Sequence, residues 1–208
     1  MCAEALLAST GRNFMDMLLS ITAPSGSGKT TIAGMLIEQC ASAFMVESYT
    51  TRGPRANDLP GEYVYISLRE FEQLRQIGWF LWTAEHGGVH YGTNTGSIKN
   101  IFKIENSLGI MILVPEVIPH LIRFLKTINK EKHYIPVFIA PPERHVLEER
   151  LRKRGDAEED IAMRLNQASE WLLQAVRSGI RYSYIRNDAA PSMALRELQT
   201  LVRSWQDR

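Results

Sequence analysis

The stretch "ITAPSGSGKTTIAGML" (Ile21–Leu36) decides the fold. It begins in the apolar run "MLLSIT" (Met17–Thr22) and ends in the helical pattern "TTIAGMLIEQC". Strand, glycine-rich turn and helix in that order gather successive backbone N–H groups around an anion. Gly26 and Gly28 let the chain turn. In this pattern Lys29 bridges the β- and γ-phosphates of a nucleoside triphosphate, and the Thr30 hydroxyl is the candidate ligand of Mg²⁺. The helix that follows adds its positive N-terminal end. Ser25, Gly26, Ser27, Gly28, Lys29, Thr30 and Thr31 are thus the candidate ATP-binding residues. Ala23 stands where the pattern usually has glycine, a change that costs little unless the position needs φ > 0. The motif names the phosphate donor and leaves the acceptor open.

The rest of the chain is organised around this unit. "AFMVES" (Ala43–Ser48), "GIMILV" (Gly109–Val114), "YIPVFIA" (Tyr134–Ala140) and "YSYIRND" (Tyr182–Asp188) read as further strands. "IPHLIRFLKTI", the charged pair "ERHVLEERLRKRGDAEEDIAMRLNQASEWLLQAV" broken at Gly155, and "PSMALRELQTLVRSWQ" read as helices. Strands alternating with helices predict an α/β fold with a parallel sheet covered on both faces. Between Tyr49 and about Asn106 the composition shifts. Turn residues crowd "TRGPRANDLPGE", "YVYIS" alternates, "LREFEQLRQIG" is helical and "WFLWTAEHGGVHYGT" is rich in aromatics. That segment predicts a small sheet-containing insertion.

Bulk properties exclude little. Of 208 residues, 45% are apolar and 23% charged, and the net charge is +1. A broad basic nucleic-acid-binding face is not expected at that balance, although local arginine clusters are compatible with it. Cys2 and Cys40 have no metal-type spacing and predict a reduced protein. No run reaches the roughly 18 apolar residues of a membrane span. The first 17 residues lack a basic start followed by a long apolar stretch. A cytoplasmic protein without membrane partners is expected, and the oligomeric state is not legible.

Two arginine groups suit anions. "SYTTRGPR" sets Arg52 and Arg55 three apart with Ser48 ahead, a pair fit to fork a phosphate or carboxylate, or else a solvated turn. Arg150 and Arg154 share a helix face four apart, and Arg164 follows. Phosphoryl transfer calls for cations that arrive as the site closes, which a mobile arginine-bearing lid supplies. The interleaved acids Glu148, Glu149, Asp156, Glu158, Glu159 and Asp160 make a salt-bridged surface helix the alternative for any one of them.

The ordered set "APSGSGKTT", "SYTTRGPR", "GEYVYIS", "EFEQLRQIGWFLWTAE", "HYGT", "FIAPPE", "LEERLRKRG" and "YIRND" resembles the guanylate kinase family from about Leu18 onward. The resemblance implies a P-loop core (17–47, 108–141 and 165–208), an inserted monophosphate-binding subdomain (48–107) and a helical lid (142–164), behind an N-terminal extension (1–16) expected to be a loose tail. It implies transfer of the γ-phosphoryl of MgATP onto GMP, so the expected partners are small nucleotide substrates. Arg52 and Arg55, joined by Tyr63 and Tyr91, would hold the acceptor phosphate, and Ser48 and Thr93 would touch the base. Arg150, Arg154 and Arg164 would clasp the moving phosphate as catalytic residues beside Lys29, and Asn187 would sit near the ATP base and the lid.

The departures fall in the base-reading positions. Trp82 stands where the family has an acidic residue that accepts hydrogen bonds from guanine, which an indole cannot do. Val114 and Glu116 replace the family's Asp-x-Asp, leaving Glu116 as the one group able to contact the base or a magnesium water. "ANDLPGEY" is one residue shorter than the usual loop. Two alternatives share the fold. One is a ribose 1,5-bisphosphate phosphokinase-like enzyme, which has no guanine to read. The other is a non-catalytic guanylate kinase-like binding module.

Overall fold

A computed structural model describes residues 16–206. Among them are nine strands and seven α-helices. The strands are β1 (Met17–Thr22), β2 (Ala43–Met45), β3 (Ser48–Thr50), β4 (Tyr63–Tyr65), β5 (Phe80–His86), β6 (Val89–Asn94), β7 (Leu108–Ile112), β8 (Tyr134–Ala140) and β9 (Ser183–Arg186). The helices are α1 (Lys29–Gln39), α2 (Leu68–Gln76), α3 (Thr95–Ile101), α4 (Ile118–Thr127), α5 (Arg144–Lys153), α6 (Glu158–Arg177) and α7 (Pro191–Gln206). One sheet has the order β2-β7-β1-β8-β9 and the other β4-β3-β6-β5. The expected N-terminal extension lies, apart from Asp16, outside the described residues.

By contacts the chain forms two compact units. The first takes Cys40–Met111 and Glu116–Tyr134 with the start of β1. In it β2 runs parallel to β7, Ala43 opposite Leu108. The segment "AFMVES", read above as one strand, divides between the two sheets. Val46 N–H still reaches Ile110 O at 2.8 Å, whereas Ser48 N–H donates to Glu62 O at 3.0 Å. Exposed Glu47 marks the switch. β3 then pairs in parallel with β4 and antiparallel with β6, and the Gly87–Gly88 turn closes the β5–β6 hairpin with both glycines at positive φ. α2 opens on a capping box between Ser67 and Glu70. Its one fully buried side chain, Phe71, stacks on Phe80 at 4.7 Å. Phe80 lies against the backbone of β6, where a Cβ on Gly92 would fall 2.7 Å from the ring.

The second unit takes Ser20–Gln39, Ile112–Pro115 and Ile135–Arg208. β8 is buried along nearly its whole length and runs parallel to β9, Val137 opposite Ser183. α1 buries Ile32, Ala33 and Leu36. It is tied to α7 by the Gln199 side chain donating to Gln39 Oε1 at 2.9 Å. α5 and α6 close on each other through Leu147, Leu151, Ile161, Leu165 and Ala168, all nearly fully buried. Each Leu or Ile contributes roughly 1.5–3 kcal/mol there. The break between the two helices is at Gly155, φ +87°, as the sequence pattern predicts. α6 carries Arg164 in its second turn and continues unbroken to Arg177. Among the described residues no helix is long and apolar enough to cross a membrane.

Phe71 is the largest fully buried side chain of the first unit and stacks on Phe80. Phe71→Ala should cost about 3–5 kcal/mol, read as a lowered urea midpoint. A loss under about 1 kcal/mol would show that Phe80 collapses into the space.

Candidate functional site

The phosphate loop lies wholly in the second unit. Gly26 and Gly28 both take positive φ, +83° and +90°. Gly28 has a second reason to lack a side chain, since a Cβ there would fall 2.4 Å from Asn187 Nδ2. That amide donates to Ser27 O at 2.9 Å, so the loop's backbone is fixed by the residue that follows β9. Ala23 is fully buried and is not among the positive-φ residues, so the missing glycine costs the loop nothing. Lys29 Nζ donates to Ala23 O at 2.7 Å and Pro24 O at 3.2 Å, closing the loop on itself. Thr22 Oγ1, Ser27 Oγ and Asn187 Oδ1 are buried without a hydrogen-bond partner among the described residues. Such groups cost about 1–3 kcal/mol each, so their collection at one loop fits a polar ligand or water brought there.

The charged helix pair meets this loop. Leu147 and Leu151 of α5 pack against Gly26, within about 3 Å of where its Cβ would be. Arg154 Nη2 donates to Ser25 Oγ at 3.0 Å and Arg164 Nη1 to the same oxygen at 3.3 Å. Arg150 behaves differently, since its Nη2 donates to Asn187 O at 2.8 Å. Of the three candidate lid arginines, two converge on the loop and the third buttresses the residue that holds the loop. Thr30 is half-buried in the first turn of α1 and Thr31 is exposed.

The candidate acceptor residues lie in the first unit. Ser48 Oγ and Thr93 Oγ1 are hydrogen-bonded at 2.8 Å, with Thr93 opposite Trp82 in the β5–β6 ladder. Trp82 is 7% exposed, so the indole is packed inside and is not a surface group. Arg52 lies over the Tyr63 ring at 4.7 Å and the Tyr65 ring at 6.0 Å. The Tyr63 and Tyr91 rings stand 6.0 Å apart, so the two phenols sit in one cluster with Arg52. Arg55 is exposed, and Glu116 is exposed on the short 3-10 turn Pro115–Val117.

Asp58, Glu62 and Tyr65 belong to this cluster and are not among the candidates read from the sequence. Asp58 takes Arg52 in a fork, Nη1 at 2.7 Å and Nη2 at 2.6 Å, and also accepts from Arg55 N–H and Tyr65 Oη at 2.7 Å each. This holds the Asp58 carboxyl far below the usual carboxylate range, chiefly through Arg52 and against its burial. Buried Glu62 accepts from Leu59 N–H at 3.0 Å, and burial pushes its carboxyl up. Burial likewise pushes Tyr63 far above its ordinary value, with Glu62 adding to it. In sequence the one clue to Asp58 is its place in the turn "RANDLP" just beyond the arginines. Nothing in the spacing says which residue a turn acid meets.

The guanylate kinase family model matches residues 15–204. The guanylate kinase of Nitratidesulfovibrio vulgaris is 32% identical over 213 residues, covering 95% of this chain and all of that protein. That of Trichormus variabilis is 37% identical over 155 residues, 74% of each chain. Among solved structures, guanylate kinase from Anaplasma phagocytophilum has a TM-score of 0.66 at 21% identity, covering 92% of this chain and 87% of that one, a likeness of fold. A gluconokinase from Sinorhizobium meliloti has a TM-score of 0.53 at 14% identity, covering 94% and 96%.

The Asp58 fork should show in acid unfolding. A carboxyl depressed in the folded state stabilises above its unfolded value, near 3.9, and that stabilisation is lost as pH falls through the folded value. Asp58→Asn should therefore be less stable than the parent at neutral pH. The gap should begin to close below about pH 4. Urea unfolding at stepped pH measures it, and a gap that stays constant through that range would contradict the assignment.

Proposed function

The chain belongs to the guanylate kinase family. Within it we propose that the protein transfers the γ-phosphoryl group of MgATP to a nucleoside monophosphate, with GMP as the acceptor. The observation that carries this reading is the phosphate loop with two cationic side chains, Arg154 and Arg164, drawn onto Ser25. A binding module has no use for a loop built in this way.

The donor phosphates would lie on the backbone N–H groups from Gly26 to Thr30 and on the N-terminal end of α1, with Lys29 exchanging its loop carbonyls for phosphate oxygens. Arg154 and Arg164 would balance the charge spread over the moving group. Arg52, stacked on Tyr63, would hold the acceptor phosphate. An acceptor phosphate oxygen is already anionic and attacks in line, so no strong base is needed and positioning carries the rate.

Thr30 offers one hydroxyl in the first turn of α1, and among the described residues no three His, Cys, Asp or Glu gather to cage a metal. That donor set suits Mg²⁺, which keeps several waters and is held largely by substrate phosphates. When bound, the ion neutralises β- and γ-phosphate charge. Base selection is the least family-like part, because Trp82 presents a buried indole opposite Thr93.

Lys29→Ala should lower turnover by about 100-fold or more while leaving the fold intact. Near-normal turnover would sink the mechanism. ADP release from MgATP, followed with GMP, dGMP, AMP, CMP, UMP and ribose 1,5-bisphosphate in turn, tests the acceptor. GMP should be the best substrate. Preference for the sugar phosphate, or no acceptor-dependent ADP at all, would overturn the reading.

A further inference from the structure

The α5–α6 turn is built around a carboxylate that the proposed reaction does not itself use. Gly155 takes φ +87°, which reverses the chain, and Asp156 N–H returns to Leu151 O at 3.2 Å. The Asp156 side chain, 11% exposed, is thereby brought back to Arg154, which donates Nε to Oδ1 at 2.9 Å and Nη2 to Oδ2. Arg164, one and a half turns into α6, donates Nη1 to the same Oδ2 at 2.6 Å. The two guanidiniums meet again at Ser25 Oγ of the phosphate loop. Two cations drawn to one hydroxyl repel each other, and a single anion between them removes most of that cost. Apolar packing of Leu147, Leu151, Ile161 and Leu165 fixes the two helices that carry them.

These contacts leave donors over. Arg154 keeps Nη1, and Arg164 keeps Nε and Nη2, outside the Asp156 and Ser25 bonds. An incoming phosphate therefore need not evict Asp156 to reach both arginines. We propose that Asp156 is a positioning residue, which holds Arg154 and Arg164 side by side at Ser25 so that their remaining N–H groups meet the transferring phosphoryl already aligned. Its own carboxyl lies below the usual range, first through the hydrogen bond from Arg154, so it is ionised throughout the working pH range. The proposal rests on reading this half of the protein as the donor-phosphate site.

A residue that aligns groups for the transition state moves kcat and leaves ground-state binding nearly untouched. Asp156→Asn should lower kcat about 10- to 100-fold, with KM for ATP and for the acceptor within about threefold of the parent. Asp156→Glu, which keeps the charge on a longer arm, should recover part of the loss. Combined with Arg154→Ala, Asp156→Asn should add less than it does alone, because one of the two groups it positions is gone. Binding of a non-hydrolysable ATP analogue, read by calorimetry, should be unchanged. Unchanged kcat in Asp156→Asn, a rise in KM alone, or Asp156→Glu no better than Asp156→Asn would overturn the proposal. If Asp156→Asn does not fold, Asp156→Ser decides in its place: a fall in kcat at constant KM supports positioning, and parental kcat removes it. Absence of acceptor-dependent turnover in the parent protein, by contrast, would strike the kinase reading itself.

Discussion

The contact between Gly28 and Asn187 is the constraint on which the phosphate loop depends. Asn187 Nδ2 sits 2.4 Å from where any Cβ at position 28 would be. The same amide fixes Ser27 O, and its backbone carbonyl accepts from Arg150. One asparagine after β9 thus sets the shape of a loop 160 residues earlier in the chain and anchors α5 beside it. The loop needs glycine at 28 for two reasons together: φ of +90° and the close amide. Position 23 has neither demand, which is why alanine stands there without cost.

A second theme recurs in both units. Each cluster of arginines suited to phosphate is already organised by an aspartate of the same unit, Asp58 for Arg52 and Asp156 for Arg154 and Arg164. Long cationic side chains lose considerable rotamer entropy when they bind. Carboxylates that hold them beforehand move that loss into folding. The aromatic rings of Tyr63 and Tyr65 do the same for Arg52 by stacking. What looks in sequence like charge balance on a surface is, in these places, the support of cations.

Much of the fold was legible because it rests on local pattern. The apolar runs from Met17 and Tyr134 become buried strands, and the break at Gly155 falls where the composition puts it. The stretch Ala43–Ser48 was less legible, since its apolar start, Ala43–Val46, runs straight into a change of sheet at Glu47. A run of side chains says that a segment is buried and is silent about which neighbour completes its hydrogen bonds. The candidate lid arginines show the same limit. Arg150, Arg154 and Arg164 look equivalent by spacing, yet one binds a backbone carbonyl and two meet at Ser25.

The sequence by itself determined the phosphate loop: strand, glycine turn, Lys29 and helix form a contiguous motif, so their geometry follows from local backbone rules. It also determined which arginines are candidates for anions, because charge and fork shape belong to the residue. Only the tertiary structure decided what those arginines do when folded. Asp58, Asp156 and Asn187 act across turns and between elements. Hydrogen bonds of this kind depend on distances that the fold sets and that no spacing encodes. The same holds for Trp82, whose identity is visible in the chain and whose burial opposite Thr93 is a property of the β5–β6 pairing alone.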